Sequence, residues 1–424
     1  MTALVDRGAY AEAVSATRAE GREPKLEKAL AEALLERAAS SADAEQRRRA
    51  FTELSLAGSR SRPVLDRLQV ASPPLTRALA WNASMQLGDD DARDLLRALV
   101  DSADPELSAL GFEALEPVTD RQQLLVALTL PNRARRATAV RVLLGSPRSS
   151  DVRVALEDVA QHDPEPSLRS AALTALSKQG PDAAPALERA LDDESESVRT
   201  AALSALATVV PECPAQPAAD PARGCDRERI VRKLGRDLGS PPTVASLAAA
   251  AAMLRIANVP EPERARDVFT RALQSGDTNL RALAAVFCRT LAAPGCDAAV
   301  LRERLRREPA SQVKLLVAVA IGSQDPLAQA ALKLLSEDAA SATAVEAAAE
   351  LAAIGDESAK QKLAKALQHS DAQVRISALR ALGRLGASGA VSDSGEIAER
   401  VVDRLADRDE HVRVAAAAAV LGLV

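Results

Sequence analysis

SLRSAALTAL at residues 167–176 and SVRTAALSAL at 197–206 are one phrase written twice, and QVRISALRALGRLG at 373–386 is a third version of it. In each, an apolar anchor (Leu168, Val198, Val374) is followed by an arginine. A small residue stands four places after the anchor and a leucine eight places after it. Small or apolar residues at the anchor and at +4, +5 and +8 fall on one face of a helix. Working outward, anchors recur at Gln46, Thr76, Leu107, Arg135, Leu168, Val198, Val244, Leu280, Val313, Thr343, Val374 and Val412. The small column then reads Ala50, Ala80, Gly111, Ala139, Ala172, Ala202, Ala248, Ala284, Val317, Ala347, Ala378 and Ala416. Recurrence at a period of roughly thirty residues is the mark of a solenoid, in which each unit buries its apolar face on its neighbours.

Each unit reads as two helices. The first ends in a leucine such as Leu68, Leu99, Leu191 or Leu367, and a short turn with Asp104, Asp163 or Asp371 leads into the second. Aspartate in that position caps a helix start. A tight connection makes the two helices antiparallel, and the small column lets backbones approach closely. Gly386 reads as a helix stop. The expected fold is all-α, an α-α superhelix of about twelve helical hairpins. Residues 1–23 read as an N-terminal capping helix, 24–210 as a first half and 227–424 as a second. Between the halves, 211–226 is an inserted loop containing Pro and Cys. The apolar last helix, VRVAAAAAVLGLV, ends without a cap, which predicts fraying or self-association there.

The residue after the anchor is basic in most units: Arg47, Arg77, Arg136, Arg169, Arg199, Arg281, Lys314, Arg375 and Arg413. One reading is a cationic ladder for an acidic partner. The other, favoured by Asp163, Asp193 and Asp407 six places before their arginines, is a column that stabilises the repeats by bonding an acid in a turn. A planar guanidinium suits such repeated pairing. The pattern D-x₅-R-x₂-A-L-x-A-L resembles the HEAT family, in particular short bacterial HEAT-like repeats of the phycobilin-lyase type, over roughly residues 24–424. The resemblance implies a right-handed superhelix with a concave surface lined by the second helices and used to hold other macromolecules.

Composition narrows the function. The chain is 47% hydrophobic but only 1% aromatic, with Trp81, Tyr10 and four Phe, so alanine and leucine build the core. Trp81, Phe51 and Phe112 fall at +5, a core position. Net charge is −5, with no basic face of the kind that holds phosphates, and no nucleic acid partner is expected. No segment has the ~20 apolar residues of a membrane helix. His162, His369 and His411 lie in separate turns, and no catalytic motif, cofactor or metal site is predicted. Cys213 and Cys225 form a candidate disulfide across the inserted loop; Cys288 and Cys296 are a second local pair that could bond, although the core register of Cys288 favours a buried free thiol. The start MTALVDRGAYAEAV lacks a signal peptide, so the expected location is cytoplasmic. An upstream start with an export signal, together with paired cysteines, would place it in the periplasm or cell envelope instead.

The expected function is a non-catalytic scaffold that binds a protein of unknown identity through its concave surface and edge loops. The alternatives, each from a resemblance, are a phycobilin-lyase-like tetrapyrrole-handling protein and a HEAT-like DNA-binding protein.

Overall fold

A computed structural model describes residues 2–18, 23–213, 225–236, 238–239, 241–256, 262–290, 296–337, 341–391 and 395–423. Among these residues there is no strand, and the helices form twelve consecutive hairpins. Two short helices come first, α1 (Thr2–Asp6) and α2 (Tyr10–Ala16). The next three hairpins are α3 (Pro24–Ala39) with α4 (Ala44–Ala57), α5 (Arg62–Ala71) with α6 (Pro74–Gln86), and α7 (Asp90–Arg97) with α8 (Pro105–Glu113). Then follow α9 (Arg121–Leu128) with α10 (Arg133–Leu143), α11 (Ser150–His162) with α12 (Pro166–Leu176), and α13 (Ala184–Arg189) with α14 (Glu196–Val209). Beyond the inserted loop lie α15 (Arg227–Arg236) with α16 (Val244–Arg255), α17 (Pro262–Leu273) with α18 (Thr278–Thr290), and α19 (Ala298–Arg307) with α20 (Ser311–Ile321). The last three are α21 (Pro326–Leu335) with α22 (Ala342–Ala353), α23 (Glu357–Ala366) with α24 (Ala372–Ala387), and α25 (Glu396–Asp403) with α26 (Glu410–Leu423).

Local chemistry starts the second helices where the sequence suggests. Asp43, Asp104, Asn132 and Asp371 each accept a hydrogen bond from a backbone N–H two or three residues on. Proline opens α6, α8 and α12, where its missing N–H costs nothing. Every member of the small column is buried. Gly111 explains why the column is small, because a Cβ there would lie 2.5 Å from the Val100 nitrogen.

The chain divides into two compact units, and the division does not fall at residues 211–226. Unit 1 comprises Met1–Ala114 and Gly322–Val424, and unit 2 is Leu115–Ile321. The inserted loop therefore lies inside unit 2, and its residues 214–224 lie outside the described residues.

Unit 1 brings both ends of the chain together. Helix α26 packs on α24 and also on α3 and α4. Its residues Val414 to Leu423 are all buried. The expected bare final face, and the self-association through it, are thus replaced by an intramolecular contact: the apolar surface of α26 finds α3 and α4. Residues 1–23 do not form one capping helix over the first repeat either. α1 packs on α3, and the Arg37 guanidinium donates to the Val5 carbonyl. α2 touches α3 and the 3₁₀ turn Arg404–Ala406 of the last repeat. There Arg413 lies 4.4 Å from the Tyr10 ring centroid, and Arg18 pairs with Asp403 at 2.8 Å.

Two further expectations change. Gly386 does not stop α24, which runs on to Ala387. Gly383 and Gly386 instead let α24 approach α26 at backbone distance, since a Cβ on Gly422 would stand 2.6 Å from the Gly383 carbonyl oxygen. The weak registers slip as well. Counting three residues on from the cap, as at Asp371, moves the anchor of α22 from Thr343 to Ala344 because the cap is Ser341. The cap Thr243 likewise moves the anchor of α16 from Val244 to Ser246.

Candidate interaction surface and the arginine ladder

The basic column occupies one recurring place. In seven repeats the arginine Nη1 donates to the carbonyl six residues earlier, in its own turn. The pairs are Arg47 to Ser41, Arg136 to Leu130, Arg169 to Asp163, Arg199 to Asp193, Arg281 to Ser275, Arg375 to His369 and Arg413 to Asp407. The rest of the guanidinium reaches the turn of the following repeat. Arg136 Nε meets Asp163 Oδ2 at 2.7 Å, and Arg169 grips both oxygens of Asp193 at 2.9 Å. Arg281 is bidentate to Glu308 at 2.8 and 3.0 Å, and Arg375 meets Asp407 at 2.9 Å. Each rung is therefore an own-turn carbonyl plus a neighbour's carboxylate. That carboxylate also accepts the N–H two residues on, at Glu165, Ser195, Ala310 and Asp409 respectively.

These pairs are buried. The side chains of Arg281 and Glu308 are 6% and 0% exposed, and those of Arg375 and Asp407 are 4% and 3% exposed. Burial pushes the Asp193 and Glu308 carboxyls up, but the bonds from Arg169 and Arg281 and the backbone N–H groups outweigh it. Both end below their ordinary values. The bond to Glu308 raises Arg281, and the bond to Asp193 raises Arg169. Such pairs are costly to break on one side.

Not every member of the column makes a rung. The Nε of Arg77 is buried without a hydrogen-bond partner among the described residues. Lys314 makes no such pair among them, and Asp338, the acid at the corresponding place, lies outside them. Arg413 lies over the Tyr10 ring instead.

The cysteines are all paired. Cys213 and Cys225 are disulfide-bonded with Cα atoms 5.6 Å apart, and Cys288 is bonded to Cys296 with Cα atoms 5.5 Å apart. Cys288 is buried in the core column as its position suggests, but it is not a free thiol. Both bridges lie in unit 2, each at the connection from a second helix to the next first helix. Phe51 and Phe112 are buried, while Trp81 is half-buried and packs on Ala78, Leu96 and Ala114.

Within unit 2 the second helices stand closer to one another than the first helices do, which makes their outward side the concave one. That side presents the sixth residue after the anchor in α10, α12, α14 and α18, whereas Ala250 at that place in α16 is buried. The presented residue is polar at Arg141, Thr174 and Ser204 and apolar at Val286, which is 41% exposed. A family profile described as HEAT repeats matches residues 122–207 and 328–422. These two segments are HEAT repeats.

The HEAT match covers repeats in both units, including the three phrases quoted first. No curated relative matches the sequence. Among solved structures, an engineered protein is 19% identical with a TM-score of 0.33, covering 93% of this chain and 98% of its own. YibA of E. coli is 17% identical with a TM-score of 0.31, over 72% of this chain and 95% of its own. A chain of the Kap95:Nup1 complex is 13% identical with a TM-score of 0.38, over 88% of this chain and 67% of its own. Among the described residues no helix is long and apolar enough to cross a membrane.

Proposed function

We propose that this protein is a non-catalytic scaffold that binds a protein partner along the concave side of the second helices in unit 2. The observation that carries the reading is the use of side chains. The buried arginine–carboxylate pairs are consumed in joining repeat to repeat. The uncovered side of the second helices carries Arg141 and the short polar groups of Thr174 and Ser204 beside the apolar Val286. Short side chains on a curved wall leave room for a helix or an extended segment, and mixed polar and apolar character is typical of protein interfaces. The partner's identity is open to direct capture. Immobilised protein should retain one or a few specific proteins from its native lysate. Thr174→Arg with Ser204→Arg should release them while leaving the melting temperature unchanged. Retention that is unaltered by both substitutions would remove the concave side from consideration, and loss only on excising residues 214–224 would move the site to the inserted loop.

The same reading places the protein in an oxidising compartment, the periplasm or cell envelope. Two disulfides support that placement, because thiols stay reduced in the cytoplasm of most organisms. Denatured protein taken directly from its native source should titrate no free thiol before reduction and four afterwards. Four thiols before reduction would restore the cytoplasmic placement.

A further inference from the structure

One rung of the ladder in unit 1 is missing on both sides at once. Between the α21–α22 and α23–α24 hairpins, the residue in the arginine's place is Ala344 by sequence register and Val345 by cap register. The acid's place, five residues before the anchor Val374, is taken by His369; Asp163, Asp193, Glu308 and Asp407 hold it elsewhere. The space that a guanidinium and a carboxylate fill in other repeats is here a cleft of about 520 Å³. Its floor is apolar, from Ala344, Val345, Ala348 and Leu363, and its polar edge carries Lys362, Lys365 and His369.

The edge is cationic and positioned. Lys362 Nζ donates to Ser336 Oγ at 2.8 Å, which holds the ammonium across the cleft. His369 Nδ1 accepts the Asp371 N–H at 3.0 Å, so Nε2 is left as the donor. The His369 carbonyl is fixed by Arg375. Glu337, exposed on the rim, is the one acid in the lining among the described residues. A rung also lacks both partners at Ala245 with Ser275, but that gap gathers no lysines. Next to Ala245, the Arg271 guanidinium of the following repeat donates to the Leu238 and Gly239 carbonyls.

We propose that this vacated rung is a binding site for a small organic anion, a carboxylate on a short apolar body. The head group takes the place of the absent aspartate and meets Lys362, Lys365 and His369. The apolar body takes the place of the arginine stem over Val345 and Ala348. The volume is within the range of small-molecule sites, which are mostly apolar with a few convergent polar groups. This site is independent of the concave surface proposed above, so either reading can fail alone.

Calorimetric titration of the full chain with hexanoate, acetate and hexanol tests it. Hexanoate should bind at least about tenfold more tightly than either acetate, which lacks the body, or hexanol, which lacks the charge. Lys362→Gln with Lys365→Gln should weaken hexanoate by a similar factor and leave the circular dichroism spectrum unchanged. Val345→Arg with His369→Asp should rebuild the rung, raise the melting temperature and abolish hexanoate binding. If the rebuilt rung fails to fold, the lysine pair alone decides. Hexanoate binding no tighter than acetate or hexanol, or undiminished without the two lysines, would overturn the site.

Discussion

Unit 2 and unit 1 are built from the same repeat, yet they are assembled differently. Unit 2 is one uninterrupted stretch, so each hairpin meets the hairpins next to it in sequence, and the same arginine rung recurs at three of those steps, from Arg136 to Asp163, Arg169 to Asp193 and Arg281 to Glu308. Unit 1 joins the first three hairpins to the last three, and its central contact sets α26 against α3 and α4 across most of the chain. No rung is available there. The junction uses other chemistry: Arg380 with the buried Glu53, Arg18 with Asp403, and Arg413 over Tyr10. A repeated local device can build a stack of any length, but it cannot specify where a stack meets its own beginning. That step needs residues found once.

The comparison breaks most visibly if α26 is removed. Truncation after Asp409 exposes the faces of α3, α4 and α24 together. Unit 1 should then lose its protection in hydrogen exchange while the amides of unit 2 keep theirs. Equal loss in both would mean that the units do not fold separately. A smaller effect is expected from a single rung. Arg136→Met leaves Asp163 buried and unpaired, which should cost about 3 kcal/mol in denaturant titration. Adding Asp163→Leu should recover most of it, because a buried pair replaced on both sides by apolar groups is close to neutral.

Acid should distinguish the units next. Asp193 and Glu308 have folded-state values below their ordinary 3.8 and 4.5, so their contribution is complete above those values. It is lost as pH falls through the lower folded values. Melting followed at decreasing pH should therefore show unit 2 weakening below about pH 4.5, and Asp193→Asn with Glu308→Gln should flatten that slope. The smallest effect belongs to the closure: Arg18→Ala removes a pair that is 33% and 43% exposed and should cost no more than about 1 kcal/mol. A larger loss would make that pair the latch of unit 1 rather than an accessory to the packing of α26.

Sequence made the hairpins legible because each is written locally: a cap, an apolar stripe and a small column that recur at helical spacing. The place of the arginines was legible too, but not their partners. Asp163 reads as the acid of Arg169, six places earlier, whereas the side chain serves Arg136 of the preceding repeat and only the carbonyl serves Arg169. Glu308 carries no such signal, because a glutamate in that turn breaks the aspartate pattern. Gly386 looks like a terminator since a helix-ending glycine and one admitting a second backbone are the same letter. The covering of α26 by α3 and α4 leaves no periodic trace at all. The cleft at His369 is visible only as an exception once the rung is known.

The meeting of α26 with α3 and α4 also sets a schedule for synthesis. At about 5–20 residues per second, the roughly 350 residues between α4 and α26 take some tens of seconds to emerge from a ribosome. Throughout that interval the six hairpins of unit 2 can finish folding as they appear. The earliest helices meanwhile wait with an apolar face open to the cell. A chaperone that recognises nascent chains has its longest opportunity there, on the part of the protein made first and completed last.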